Sequence, residues 1–188
     1  MNIQQRVGVF IDIQNLYYSA KALYNQKVDF GKVLEVAVGD RTLVRAIAYV
    51  IRAEHSAEQS FFDSLKKRGL EVRAKELQTF YDGNKKGDWD VGIAMDVMRL
   101  ADKLDVISVV SGDGDFAPLL EHVKSLGCRA EAVAFGPSSS IQLREEADQF
   151  IDLAELKDNI LIGTARPQKP RVQQKRAQPR PVGRSPKK

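Results

Sequence analysis

The 188-residue sequence has one cysteine, two histidines and no long apolar run. The single cysteine, Cys128, excludes an internal disulfide and is typical of a reducing compartment, so we expect a cytoplasmic protein. The histidines, His55 and His122, are too few and too scattered for a zinc site. The longest apolar stretches, such as Val7–Ile11, have the length of a strand, far below the roughly 20 residues that span a bilayer. We therefore expect no signal peptide and no membrane association.

Acidic residues are absent from Ala165–Lys188, which has nine Lys/Arg and five of the seven prolines. Residues 1–164 hold the other 20 basic residues against 25 acidic ones. The C-terminal segment has almost no apolar side chains to bury, so we expect a disordered basic tail over residues 161–188. Such tails attract nucleic acid through counterion release, and a solubilising or linker role is the alternative.

Segments rich in β-branched residues alternate with longer helix-like segments, which predicts an α/β fold with a parallel sheet. We predict one domain over residues 1–160. Its five predicted strands are Val7–Ile11, Leu43–Ile51, Glu71–Leu77, Val106–Val110 and Ala130–Phe135. Helices are predicted between them, including Phe116–Leu126 and a last one from about Ser139 to Phe150.

Two further helices are predicted from capping and periodicity. The capping box Ser56 with Gln59 begins one helix, which Gly69 ends. The second, Asp90–Leu104, is predicted to bury one apolar face and to leave Asp96 in solvent. That apolar face consists of Val91, Ala94, Met95, Met98 and Ala101.

Aspartates follow two of the predicted strands. Asp12 ends the first strand, and Asp113 and Asp115 follow the fourth. Ligands of open parallel sheets bind outside the carboxyl ends of strands, where the strand order reverses. If these two strands are neighbours there, the three acids meet in one crevice, and Asp90 joins them from the start of its helix.

Carboxylates that share a crevice repel each other unless they take up protons or a cation. Oxygen ligands without Cys or His select Mg²⁺ or Mn²⁺, whose waters suit attack on a phosphodiester. Each acid also has a simpler interpretation, because Asp12, Asp90 and Asp115 all stand where a helix N-cap is expected.

Weaker candidates surround these acids. Asn15 and Lys86 are candidate phosphate contacts, although a turn or a solvated loop explains them almost as well. Ser111, with its neighbouring glycines, would let a phosphate backbone approach closely. Ser140, the last of three serines at a helix start, would bind phosphate through backbone amides or merely cap the helix. Trp89 is expected to pack on the core rather than to stack on a base.

Four motifs in order resemble the NYN domain family, the LabA-like or DUF88 group. The motifs are Phe10-Ile11-Asp12-x-x-Asn15-Leu16, Lys86-Gly87-x-Trp89-Asp90-Val91, Ser111-Gly112-Asp113-Gly114-Asp115-Phe116 and Ser140-x-x-Leu143-x-x-x-Ala147-Asp148-x-Phe150. The resemblance covers about residues 5–155 and departs from the family pattern at Asp88, which lengthens the spacing between Gly87 and Asp90.

The resemblance implies a three-layer, Rossmann-like, PIN-type nuclease fold with sheet order 3-2-1-4-5. It also implies a metal-dependent ribonuclease whose acids are Asp12, Asp90, Asp113 and Asp115. We therefore predict a Mg²⁺- or Mn²⁺-dependent endoribonuclease that acts on single-stranded RNA, and we leave a homodimer open.

The alternative is an RNA-binding or regulatory protein of the same fold without catalysis. A haloacid-dehalogenase-type phosphatase is disfavoured, because that chemistry needs a second aspartate two residues after the first. Here Asp12 is followed by Ile13 and Gln14. A dinucleotide-binding enzyme is disfavoured because no G-x-G-x-x-G follows the first strand.

Overall fold

The computed structural model describes residues 4–52, 58–76, 78–79, 85–86 and 88–163. A six-stranded sheet lies at its centre. The strands are β1 (Arg6–Asp12), β2 (Thr42–Arg52), β3 (Glu71–Glu76), β4 (Val106–Val110), β5 (Arg129–Ala134) and β6 (Gln149–Asp152). Their order across the sheet is β3-β2-β1-β4-β5-β6, and every pairing in this sheet is parallel.

The predicted strands and their order are confirmed, and β6 extends the sheet by one strand. The last helix was predicted to reach Phe150, but it covers only Ile141–Glu146. The chain then leaves the helix, and the Asp148 carboxylate accepts a hydrogen bond from the Ala130 amide at 2.8 Å. This contact sets Gln149 beside Glu131 on β5. The pattern missed β6 because a four-residue, half-buried strand has no distinct alternation.

Helices cover both faces of the sheet and form three layers. The first face carries α1 (Ile13–Tyr24), α2 (Phe30–Val38), α3 (Glu58–Lys67) and, near the chain's end, a one-turn helix at Lys157–Ile160. The second face carries α4 (Asp90–Leu100), α5 (Ala117–Ser125) and α6 (Ile141–Glu146). Within the described ranges, none of the helices is both long and apolar enough to cross a membrane.

Two small antiparallel pairings lie outside the central sheet. Lys27–Val28 pairs with Leu161–Ile162, so the folded part extends at least to residue 162. Gln78–Thr79 pairs with Lys85–Lys86. Ser56 of the expected capping box and the basic segment from Ala165 onward lie outside the described residues.

β1 carries the chain through the middle of the core to the site. Val7, Val9 and Ile11 are fully buried in the core on the first face, and Phe10 is fully buried on the second. This alternation is that of a strand covered on both sides. Asp12 is the first residue beyond this apolar stretch, so it lies at the carboxyl edge of the sheet.

The predicted apolar face of α4 is right for Ala94, which packs against the core, and for Ala101, which is 3% exposed, but wrong for its other three members. Val91 is 73% exposed, whereas Ile93 and Val97 are fully buried. Met95 and Met98 are also exposed. Helical spacing alone is compatible with burial of either set of residues. In the folded protein, α4 packs with Ile93 and Val97 against the sheet.

Asp96 is buried rather than solvated, which corrects a second prediction. Its carboxylate accepts hydrogen bonds from the Tyr49 hydroxyl at 2.9 Å and lies 2.8 Å from an Arg73 nitrogen. Tyr49 and Arg73 are register partners on the adjacent strands β2 and β3. A buried carboxylate needs such partners, and they meet Asp96 only once the sheet has formed.

Candidate metal centre at the carboxyl edge of the sheet

Asp12 joins β1 to α1. As the N-cap of α1, its Oδ1 accepts hydrogen bonds from the Gln14 and Asn15 amides, each at 3.1 Å. Burial raises the pKa of the Asp12 carboxyl to about 6, with smaller contributions from the negative charges of Asp90 and Asp113, against the two amide hydrogen bonds, which lower it. The capping interpretation of Asp12 is therefore correct.

The loop after β4 is held by its own side chains. Ser111 is fully buried, and its hydroxyl accepts a hydrogen bond from the Asp113 amide at 3.2 Å. The Asp113 carboxylate in turn accepts one from the Asp115 amide at 3.1 Å and caps the short 3-10 turn Gly114–Phe116. Asp113, rather than the expected Asp115, is thus the capping residue. Both carboxylates are displayed at the start of α5 on a constrained backbone.

Asn15 ties this loop to α1. Its Oδ1 accepts a hydrogen bond from the Gly112 amide at 2.9 Å. The contact spans the carboxyl ends of the neighbouring strands β1 and β4, so Asn15 holds the two acid-bearing segments together. A direct contact of Asn15 with phosphate remains a prediction.

The glycines of the loop serve protein packing. A Cβ on Gly112 would lie 3.1 Å from the Ser138 carbonyl oxygen, and one on Gly114 would lie 2.7 Å from the Ser140 hydroxyl. On the side where a Cβ would point, the space is therefore filled by residues 138–140; close approach of a phosphate backbone to this loop stays a prediction.

Ser140 is the N-cap residue of α6, without a side-chain capping hydrogen bond. Its amide donates to the Gly112 carbonyl at 2.9 Å. The Ser138 and Ser139 amides donate to the carbonyls of Phe135 and Gly136. All three amides are thus occupied, so the geometry does not support phosphate binding through them. The side chain of Lys86, another predicted substrate contact, lies outside the described residues.

Asp90, Asp113 and Asp115 come together at this edge, and we call them the acidic triad. Each offers an oxygen atom, and these oxygens lie within 4.8 Å of one another. Asp90 is half-buried at the first turn of α4. Burial raises the pKa of Asp90, and the charges of Asp88, Asp113 and Asp115 add to this shift. Asp12, which was also predicted as a metal ligand, lies outside the triad, and the charges of Asp90 and Asp113 contribute to its raised pKa.

Two residues beside the triad were missed or only partly understood from the sequence. The Trp89 indole donates to the Val50 carbonyl at 2.9 Å, and its ring lies 5.3 Å from that of Tyr49, in keeping with the expected core packing. The Lys75 ammonium lies 4.9 Å from the Trp89 ring centre, and its charge lowers the pKa of Asp90. Nothing in the sequence pattern of β3 signals that Lys75 faces this site.

The triad meets the requirements of a hard divalent cation. All donors are carboxylate oxygens on three positions that the fold brings together, and sulfur and imidazole are absent among these described ligands. Such a donor set suits Mg²⁺ or Mn²⁺ rather than zinc. The cation would also relieve the mutual repulsion that raises the pKa of Asp90.

Comparison with known proteins identifies the family. The model of the NYN domain matches residues 6–155. The chain belongs to the NYN domain family. This domain is part of the PIN-like nuclease superfamily. The chain therefore has a nuclease-type fold with an RNA-related function, and its acidic cluster lies at the carboxyl edge of the sheet, as expected.

Two individual proteins are similar over most of their lengths. The low amplitude and bright protein LabA of Synechococcus elongatus is 28% identical over 171 residues, which are 87% of this chain and 91% of that protein. A crystal structure of a protein of unknown function from Vibrio parahaemolyticus has a TM-score of 0.78 and 30% identity. That match covers 86% of this chain and 99% of the Vibrio chain. The first likeness supports the LabA-like assignment, and the second supports the observed fold.

Proposed function

We propose that this NYN domain is a Mg²⁺- or Mn²⁺-dependent ribonuclease that hydrolyses phosphodiester bonds within single-stranded RNA. The observation that carries the proposal is the acidic triad of Asp90, Asp113 and Asp115, whose oxygens lie within 4.8 Å of one another. A purely structural set of acids would have cationic partners or separate capping roles. Asp113 has a capping role and the charge of Lys75 acts on Asp90, yet the three carboxylates still face one another.

The residues divide the work by position. The acidic triad would hold the cation, which supplies charge neutralisation for the phosphate and activation of water. Asp12 stands beside the triad, and burial raises the pKa of its carboxyl to about 6 in the metal-free protein, which suits a group that takes up a proton. Its Oδ1 is held by two amides, so we assign proton transfer to Oδ2. Asn15 acts as a positioning residue through the Gly112 amide.

The same proposal includes a single-strand preference and a cytoplasmic location. Single strands suit a site at an open sheet edge, where a flexible backbone can bend to present one phosphate. Whether the protein forms a homodimer stays open and is tested by measuring its oligomeric state in solution.

The test uses purified full-length protein and an end-labelled single-stranded RNA, with a duplex of the same sequence alongside. We expect internal cleavage with Mn²⁺ or Mg²⁺ and none in chelator. Asp113→Asn should lower the rate at least about 100-fold, since even changes around metal ligands cost about 10–100-fold. Asp102→Asn, at an exposed aspartate on the turn after α4, is the matched control and should cleave normally.

The melting temperature separates this proposal from the non-catalytic alternative. Divalent cation should raise it in the wild type but not in Asp113→Asn, because the ion binds only the folded site. If cation raises the melting temperature and RNA binds, yet every cation leaves the RNA intact, the RNA-binding alternative is favoured. If cation has no effect on either property, the acidic triad is not a metal site.

A further inference from the structure

A groove of about 600 Å³ opens on the first face of the sheet. It lies between α1, the start of α2, the end of β2 and α3. Ile13 and Gln14 line it and directly follow Asp12 in the chain, while Val50, near the end of β2, lines it from the other side. The groove therefore begins at the same carboxyl edge as the acidic triad, and its volume is in the range of ligand-binding pockets.

Aromatic side chains line the groove and remain accessible. Tyr17 and Tyr18, on successive positions of α1, are 38% and 61% exposed. Their rings lie 5.3 Å apart at 73°. Half-buried Phe61 of α3 also lines the groove, where its ring lies 6.0 Å from that of Phe30. Large aromatic rings left exposed together in a concave site point to a flat, apolar ligand.

The charge around these rings is positive. Lys27 and Arg68 line the groove, and the Lys21 ammonium lies 5.8 Å from the Tyr17 ring centre. The only carboxylate in the described lining is Asp29, which lies 2.5 Å from an Arg68 nitrogen. Asp29 also caps α2 by accepting from the Gly31 and Lys32 amides. The groove thus contrasts with the acidic triad and suits a ligand that combines flat rings with negative charge.

The last described residues of the chain border this groove. Ile162 lines the groove, held there by the pairing of Leu161–Ile162 with Lys27–Val28. The nine Lys/Arg of Ala165–Lys188 follow directly in the sequence. In the sequence, a strongly basic segment thus begins within a few residues of a position that lines the groove.

We propose that this groove is a base-binding subsite for single-stranded RNA. Unpaired bases stack on Tyr17, Tyr18 and Phe61, while the adjoining phosphates face Lys27 and Lys21. The inference rests on the proposed function in taking RNA as the ligand. It adds that this protein recognises the bases of its RNA outside the cleavage centre, through stacking that tolerates different sequences.

The experiment measures binding without cleavage. Full-length protein in chelator is titrated with a fluorescent oligouridine and with an abasic ribose-phosphate oligomer of the same length and charge. We expect the wild type to bind the oligouridine about tenfold more tightly, in the range that stacking of a base or two provides. The double variant Tyr17→Ala/Tyr18→Ala should lose this preference while keeping its affinity for the abasic oligomer.

Two further variants separate stacking from folding. Tyr17→Phe/Tyr18→Phe keeps both rings and should keep the preference. Leu126→Ala removes an apolar side chain that is 53% exposed at the end of α5, far from the groove, and should behave as the wild type. Photocrosslinking with 4-thiouridine RNA should label the tryptic peptide Val7–Lys21, which contains both tyrosines.

Equal affinity of the wild type for the two oligomers would overturn the proposal, as would an unchanged preference in the alanine variant. A groove that serves a protein partner gives this same equal-affinity result. Binding is measured in chelator, so its result does not depend on cleavage. If the protein prefers bases but never cleaves RNA when cation is present, the base-binding subsite is supported and the proposed ribonuclease activity is refuted. If the protein cleaves RNA but shows no base preference, the ribonuclease activity is supported and the base-binding subsite is refuted.

Discussion

Charged side chains are arranged differently at the two edges of the central sheet. At the amino edge, acids face arginines. Glu131 of β5 accepts from Arg41 at 2.7 and 2.9 Å and from Arg129 at 3.0 Å. Separated from β5 by three strands of the sheet, Glu71 at the start of β3 forms a bidentate pair with Arg45. These pairs neutralise charge where strands begin.

At the carboxyl edge, acids face acids. The acidic triad has carboxylates on all three positions, and its charges raise the pKa of Asp90, as does burial. Asp12 adds a fourth carboxylate whose pKa is raised in the same direction. Such repulsion lowers the stability of the folded protein, so its presence at the carboxyl edge points to function, whereas the amino-edge pairs serve the fold. Three changes test this contrast.

The largest effect is expected from Glu131→Gln at the amino edge. The side chains of Arg41 and Glu131 are 2% and 1% exposed. Gln keeps the shape of Glu but leaves the Arg41 charge buried without its counter-ion, which should lower the free energy of unfolding by about 3–5 kcal/mol. Denaturant titration measures this loss. Glu145→Gln, at an exposed position of α6, is the control, and a loss below about 1 kcal/mol for Glu131→Gln would show that the pair is dispensable.

A change of opposite sign is expected from Asp12→Asn at the carboxyl edge, in metal-free buffer. The pKa of Asp12 is raised to about 6 in the folded protein. The free energy of unfolding of the wild type therefore falls as pH rises from about 4 to about 6, and the loss is complete above that range. Asn removes that loss and still caps a helix. The variant should therefore be more stable than the wild type at pH 7, by at most about 3 kcal/mol.

At pH 4 and below, the two proteins should have the same stability, because Asp12 is then protonated in the folded wild type. Asp102→Asn provides the comparison for loss of one negative charge elsewhere. A variant that is less stable than the wild type at pH 7 would mean that Asp12 stabilises the fold through its charge.

The smallest effect is expected from Glu71→Gln. The side chains of Arg45 and Glu71 are 37% and 48% exposed, so solvent screens the pair and the free energy of unfolding should fall by less than about 1 kcal/mol. The Arg45 guanidinium lowers the pKa of Glu71, so the contribution is present near neutral pH and is lost as pH falls through the lowered pKa. Added salt should shrink the difference, and a larger, salt-independent loss would contradict this account.

Much of the fold was predictable because its signals are local. The buried strand Val7–Ile11, the helix end at Gly69 and the acid-bearing loop after Val110 each lie within a few residues of sequence. The family motifs then implied the order of the strands, including β1 beside β4, and the structure has that order. In this protein the sequence by itself thus determined the layered α/β fold and the edge of the sheet at which Asp12, Asp113 and Asp115 lie.

Tertiary structure alone decided which side chains meet. Asp90 joins Asp113 and Asp115 because α4 packs across the sheet at one rotation, and that same rotation buries Asp96 against Tyr49 and Arg73. Likewise, the groove exists only because α1 and α3 flank the end of β2. Helical periodicity leaves several rotations open, and the choice among them depends on partners that lie tens of residues away along the chain.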